Sequence, residues 1–184
     1  TRIPIMTIDS ARGLVPDDHE YSAGFGYLPL NGAAQRISEA DVVLFLGQQL
    51  DYTWGFGGSP PFHEDVKFIF VDPSPAVIGR SRSVAIGIAG DVGPIVSQLA
   101  DAAEQRSWSE ESWASSLRKT LLDYRAELEA LAGDDDPLHP MTVSQELRRF
   151  VGDDTCTVFD GGDYCHFSRA SFACNRPGRW LYVS

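Results

Sequence analysis

Three observations predict an α/β fold built on a parallel sheet with flanking helices. Lys67-Phe68-Ile69-Phe70-Val71 is a short apolar, β-rich run that stops in Asp72-Pro73-Ser74-Pro75. Thr155-Cys156-Thr157-Val158-Phe159 stops the same way in Asp160-Gly161-Gly162-Asp163. Runs of this kind read as strands buried on both faces, which is the pattern of parallel sheets. Stretches with apolar residues at helical spacing separate such runs, so strands and helices alternate. In open parallel sheets ligands sit just beyond the carboxyl ends of the strands, where both acidic turns fall.

The elements follow in order. Residues 3–7 form a short strand, and 9–19 a long polar loop that Gly24, Gly26 and Gly32 extend. A helix over about 32–40 packs through Ala33, Ala34, Ile37 and Ala40. Residues 41–47 read as a central strand ending in glycine, and 48–61 as a loop rich in Gly and aromatics. Strands follow at 66–71 and 84–88. Asp91 is placed to cap a helix from Val92 to about Ala103, with Pro94 in its first turn.

Ser107-Trp108-Ser109-Glu110 has the form of a capping box before a longer helix. There Trp113, Leu117, Leu121, Tyr124, Leu128 and Leu131 recur at helical spacing and read as core contacts. Residues 133–137 read as a linker. Thr142 opens a new capped helix with Val143, Leu147, Phe150 and Val151 inward, and the strand 155–159 comes next. The segment after about 135 carries too few elements for a core of its own, so an incomplete second α/β domain is expected there.

Composition narrows the function classes. Apolar residues make up 43% and charged residues 22%, which is globular composition and rules out wholesale disorder. The net charge of −11 argues against a nucleic-acid surface, because phosphate backbones require clustered Lys and Arg. No apolar run approaches membrane-spanning length, so no membrane partner is expected. Cys156, Cys165 and Cys174 form no CxxC pair, and their odd count fits reduced thiols and a cytoplasmic location. No metal-ligand spacing accompanies them.

Strand, then glycine or aspartate, then helix or loop recurs at Leu46-Gly47, at Val71-Asp72-Pro73 and at Ala89-Gly90-Asp91. That order suits a nucleotide: glycine lets backbone approach a ligand, a strand-end aspartate can hold a ribose hydroxyl, and a helix N-terminus offers free N–H groups. Neither GxGxxG nor GxxxxGK[ST] occurs. Asp91 as a helix cap and Asp72 as a turn residue account for both aspartates without any ligand.

Taken in order, residues 3–7, Arg12-Gly13-Leu14-Val15-Pro16-Asp17-Asp18-His19, 40–47, Val71-Asp72-Pro73, Ile78-Gly79-Arg80 and Gly90-Asp91-Val92 resemble the central domain of thiamine diphosphate-dependent enzymes. It is similar to members such as acetolactate synthase, 2-hydroxyacyl-CoA lyase, oxalyl-CoA decarboxylase and benzaldehyde lyase. Val158-Phe159-Asp160-Gly161-Gly162-Asp163 and Pro177-Gly178-Arg179-Trp180-Leu181 resemble the opening of that family's diphosphate-binding domain. The resemblance implies a Rossmann-like central domain over 1–133, without its first strand and helix, and a truncated diphosphate-binding domain over 134–184. It implies a parent that makes or breaks a C–C bond next to a carbonyl, using thiamine diphosphate and Mg2+. The parent's substrate would be a 2-keto acid, aldehyde or acyl-CoA, and its assembly a homodimer or homotetramer.

The family's aminopyrimidine-activating glutamate and its GDGS…N magnesium motif have no match here, so no catalytic or metal-binding residue is assigned, and this chain alone is expected to be inactive. The resemblance implies thiamine diphosphate contacts at Gly161, Gly162, Asp163 and Tyr164. It implies ADP or FAD contacts at Gly47, Gln48, Asp72, Pro73, Gly90, Asp91 and Val92. Asp163 departs from the family pattern, since a carboxylate beside a diphosphate is repulsive. The loop 48–54 lacks the arginine usual in acetolactate synthases, which turns the expectation from FAD toward ADP. His19, His63 and His139 read as loop residues, and His166 as the histidine placed to face an active site. The alternative function is a non-catalytic Rossmann-like module that binds ADP, FAD or NAD.

Overall fold

The structure is a computed structural model that describes residues 1–109 and 112–182. In chain order its strands are β1 (Ile5–Thr7), β2 (Ser22–Phe25), β3 (Val42–Leu46), β4 (Lys67–Asp72), β5 (Ile86–Ala89), β6 (Thr157–Phe159) and β7 (Trp180–Tyr182). Its helices are α1 (Gly32–Gln35), α2 (Val92–Glu104), α3 (Ser112–Glu129), α4 (Pro140–Arg148) and α5 (Asp163–Ser171). They divide between two compact units, Arg36–Glu110 with Thr1, and Arg2–Gln35 with Glu111–Ser184.

The first unit is built on the sheet β3-β4-β5, and both of its pairings are parallel. Phe45, Phe68 and Phe70 project from one face and meet Trp54 and Phe62 from the connection that follows β3. Phe45 stacks on Phe70 at 5.1 Å between centroids, and Phe62 meets Phe68 edge-on at 5.1 Å. The five rings are buried, and their apolar area forms the core of this unit. The crossovers after β3 and β4 carry turns and a short 3-10 segment at Tyr52–Gly57 rather than full helices. α2 then follows β5 directly.

The second unit joins two parallel pairs, β1-β2 and β6-β7, with α1, α3, α4 and α5. β6, α5 and β7 make a βαβ crossover, as a parallel pairing requires. Phe159, Cys165, Phe172, Cys174 and Trp180 form one buried cluster, and Ala23, Ala33 and Leu117 form another. Ser144 of α4 and Ser168 of α5 share a buried hydroxyl–hydroxyl hydrogen bond of 2.9 Å.

The parallel α/β fold is as expected, and several elements differ from the sequence reading. Residues 22–25 were expected to be loop but form β2, fully buried. Their small side chains serve packing, because a Cβ at Gly24 would lie 3.0 Å from Leu121 Cδ1 of α3. The helix over 32–40 is one α-turn followed by a 3-10 turn at Arg36–Glu39. Asn31 governs that start: its Oδ1 accepts from Ala33 N at 2.8 Å and Ala34 N at 3.2 Å, while its Nδ2 donates to Ala23 O and Phe25 O. The capping box depends on Glu110, which lies outside the described residues.

Within α3, Leu117 and Leu128 are buried, but Leu131 falls beyond the helix and is 46% exposed. α4 starts at Pro140 instead of Thr142, capped by His139, whose ring nitrogen accepts from Met141 N at 3.2 Å. Its inner face is Met141 and Ser144, whereas Leu147 and Phe150 lie exposed. Thr142 instead ties back to Gly133, bonding its N–H and its carbonyl at 2.9 and 3.0 Å.

Candidate functional site

In the first unit the pairing register aligns the strand ends. Leu46 lies opposite Val71, Val71 opposite Ile88, and Asp72 opposite Ala89. Gly47, Asp72 and Gly90 are therefore neighbours along one edge of a parallel sheet, with α2 starting beside them. This edge is where open α/β sheets take ligands. All seven nucleotide candidates, Gly47, Gln48, Asp72, Pro73, Gly90, Asp91 and Val92, are gathered there.

Each has a local physical account. Gly47 has φ +68, the left-handed region, and its N–H donates to Val71 O at 2.8 Å. A side chain there would also reach Val92 Cγ2 at 3.4 Å, so packing against α2 favours glycine as well. Asp72 is 7% exposed, and its Oδ1 accepts from Ser74 N at 2.8 Å. Gly90 N donates to Asp72 O at 3.1 Å. Gln48 donates its side-chain amide to Gln49 O at 3.0 Å.

Asp91 stands at the N-cap of α2 but makes no side-chain cap hydrogen bond, which corrects the sequence reading. The α2 N–H groups of Val92 and Gly93 precede Pro94, which has none to offer. A Cβ at Gly93 would meet nothing within 4 Å. A half-used carboxylate, an open helix start and two backbone donors fit the ribose and phosphate of a nucleotide.

Beside this edge the structure adds residues that the sequence reading did not assign. A cavity of about 180 Å³ is lined by Gln49, Leu50, Asp51, Phe70, Arg80 and Arg82, among others. Arg82 is anchored, donating to Gly57 O and to Glu64 O at 2.5 Å, and its guanidinium lies 5.2 Å over the Phe68 ring. Arg80 is exposed. The 48–54 loop lacks arginine, yet two arginines reach the same cavity from the connection after β4. The motif Ile78-Gly79-Arg80 was the only signal in the sequence that pointed to them.

The thiamine diphosphate candidates lie in the second unit. Gly161 and Gly162 follow β6, and Gly162 has φ +93 with nothing within 4 Å of a built Cβ. Asp163 and Tyr164, expected in a loop, form the first turn of α5. The open glycines and the amides of that turn suit an anionic group. Asp160 and Asp163 oppose one unless a cation intervenes, and Asp160 Oδ1 accepts from Gly161 N at 2.8 Å.

His166 stacks on Tyr27 at 4.9 Å with an 8° interplanar angle, and its buried Nδ1 has no hydrogen-bond partner among the described residues. Burial pushes the Cys165 and Cys174 thiols up, against the pull of neighbouring Arg169 on Cys165 and of a backbone hydrogen bond from Arg176 on Cys174, so neither is an activated nucleophile. Among the described residues no group of His, Cys, Asp and Glu is arranged to hold a metal ion, and no helix is long and apolar enough to cross a membrane.

A family model described as thiamine pyrophosphate enzyme, central domain, matches residues 1–99. A probable acetolactate synthase of Mycobacterium bovis is 31% identical over 182 residues, covering 97% of this chain and 31% of that protein. A 2-hydroxyacyl-CoA lyase of Arabidopsis thaliana is 28% identical, covering 96% of this chain and 31% of its own length. The human 2-hydroxyacyl-CoA lyase 1 is 25% identical, covering 91% of this chain and 29% of itself. The chain spans about a third of the length of the curated relatives it matches.

Proposed function

We propose that this chain, which belongs to the thiamine pyrophosphate enzyme family, is part of a lyase or carboligase that makes or breaks a C–C bond next to a carbonyl. The observation that carries the reading is the alignment of 97% of the chain with a probable acetolactate synthase. The relatives are enzymes by name, so the reading as a non-catalytic nucleotide module is not favoured.

Under this reading, residues 1–133 serve as the central domain and 134–184 begin the diphosphate-binding domain. Bound thiamine diphosphate, held with Mg2+, supplies the carbanion stabilisation that such a bond change needs. The chain's own part is to position. Gly161 and Gly162 leave room for an anionic group, and the amides of Asp163 and Tyr164 face it as donors. Asp72 holds a ribose hydroxyl, while Val92 and Gly93 offer N–H groups to an ADP phosphate. The substrate class is a 2-keto acid, an aldehyde or an acyl-CoA, and the complete enzyme is a cytoplasmic homodimer or homotetramer.

The test is to express the complete reading frame and follow carbon–carbon bond change in 2-keto acids, aldehydes and 2-hydroxyacyl-CoA thioesters. Turnover that depends on added thiamine diphosphate is expected with one of these classes. No cofactor-dependent turnover with any of them would overturn the proposal.

A further inference from the structure

Within the second unit, arginine is concentrated around one cavity. Arg12, Arg118, Arg125 and Arg169 line it, with Phe25 and Asp17, and its volume is about 50 Å³. A water needs about 10–15 Å³ on this measure, so there is room for a larger polar group. The arginines come from separate parts of the unit: Arg12 from the turn after β1, Arg118 and Arg125 from α3, and Arg169 from α5.

Their charges are not fully matched. Arg12 forms a two-pronged pair with Asp17, which also accepts from Cys174 N at 2.8 Å. Arg169 pairs with Asp9 at 2.7 Å. Glu129 is shared by Arg148 at 2.6 Å and Arg125 at 3.5 Å. The guanidinium of Arg118 donates to neutral carbonyls, Asp17 O at 2.7 Å and Ser22 O at 3.1 Å. Among the described residues, five guanidiniums thus face three carboxylates in a chain whose net charge is −11.

A second observation is independent of that balance. Arg12 and Arg169 are 2% and 4% exposed, and each keeps a buried Nε with no hydrogen-bond partner among the described residues. Buried donors are almost always satisfied, and a guanidinium N–H left bare is costly. The rest of both groups is used: Arg12 lies 4.7 Å over the Trp180 ring, and Arg169 lies 3.8 Å over Tyr182 and 4.4 Å over Phe25.

We propose that this cavity is a binding site for an oxyanion, the phosphate group of a small ligand or the free ion. Guanidinium forks match phosphate oxygens, and donors arriving from three elements surround a tetrahedral group better than a planar carboxylate. An anion there offsets the excess charge and adds a charged partner for Arg125, which is 30% exposed, donates to Ser171 O and shares Glu129 with Arg148. Burial lowers the Arg125 pKa, and the like charge of Arg148 acts in the same direction against the pull of Glu129 and Asp17, as expected where positive charge is crowded. The site lies in a different unit from the nucleotide edge of β3-β4-β5 and shares no residue with it.

The experiment is calorimetric titration of the 184-residue chain with inorganic phosphate and, separately, glycerol 3-phosphate, holding ionic strength constant with chloride. Saturable binding is expected, weakened at least tenfold in Arg125→Gln and unchanged in Arg149→Gln, an exposed residue outside the cavity. Binding of both probes assigns recognition to the phosphoryl group, and binding of phosphate alone assigns it to the free ion. Heats equal to those of chloride, or equal affinity in Arg125→Gln, would overturn the proposal. Should Arg125→Gln not fold, phenylglyoxal labelling of the wild type decides: phosphate must slow modification of Arg125, and no protection refutes the site.

Discussion

Asp72 has one role that the structure shows and a second that we propose, and its sequence context alone could not separate them. Its Oδ1 already holds Ser74 N at 2.8 Å, so it is a turn residue in fact. The carboxylate nevertheless sits at the aligned strand ends beside Gly47 and Gly90, where a ribose would lie. A hydroxyl donating to a carboxylate contributes roughly 1.5–3 kcal/mol. Asp72→Ala should therefore weaken ADP binding by about ten- to a hundredfold, with circular dichroism unchanged. Equal ADP affinity for both proteins would reduce Asp72 to its turn. Asn31 is the converse case: nothing in the sequence singled it out, yet its one amide serves four backbone partners. Short polar side chains read the same whether they face water or backbone, and only the folded chain separates the two.

At the scale of an element, α4 is the clearest correction. An apolar pattern chose Val143, Leu147, Phe150 and Val151 for the core. Val151 does pack on the Phe159 cluster and Val143 is half-buried. The helix nevertheless starts at Pro140, its buried residues are Met141 and Ser144, and Leu147 and Phe150 lie exposed. Met141→Ala should cost about 2–5 kcal/mol, while Leu147→Ala, at a surface position, should stay within about 0.5 kcal/mol. Urea unfolding of both variants tests the face, and a larger cost at Leu147 would restore the sequence reading. The contact between α3 and α4 also makes a pH prediction. Burial alone would push the Glu129 carboxyl up, but the hydrogen bond from Arg148 and the charges of Arg148 and Arg125 outweigh it and hold the group below its usual value of 4.5. A carboxylate with a depressed folded pKa stabilises above its unfolded pKa and loses that contribution as pH falls through the folded one. The stability gap between wild type and Glu129→Gln should be widest near neutral pH and close in acid. A gap independent of pH would show that the pair contributes nothing through ionisation.

For the whole molecule, what matters is which distant segments share a core. Residues 2–35 fold with α3, α4 and α5 instead of with the strands that follow them in sequence. Leu117 of α3, 1% exposed, packs with Ala23 and Ala33, and Arg118 reaches back to Asp17 and Ser22. Leu117→Ala should destabilise this unit by about 2–5 kcal/mol and speed amide exchange in β1 and β2. Unchanged exchange there would mean that β1 and β2 hold together without α3. The tail that looked too small for a core builds a small one around Phe159, Phe172 and Trp180, because β6 pairs with β7, and α4 and α5 also pack onto α3.

The sequence by itself determined the parallel α/β class, the strand positions of β3, β4 and β6, the family, and the turns at Gly47, Asp72 and Gly90. Those are local facts, written in short apolar runs and in the residues that stop them, and such runs keep their meaning wherever they pack. Only the tertiary structure decided that Ser22–Phe25 is a strand, that Met141 points inward, and that Arg12, Arg118, Arg125 and Arg169 gather at one cavity. Each depends on partners far away in the sequence. Gly24 of β2 is bare because Leu121 of α3 packs against it, and arginines spread along the chain become one site only when the segments that carry them fold together.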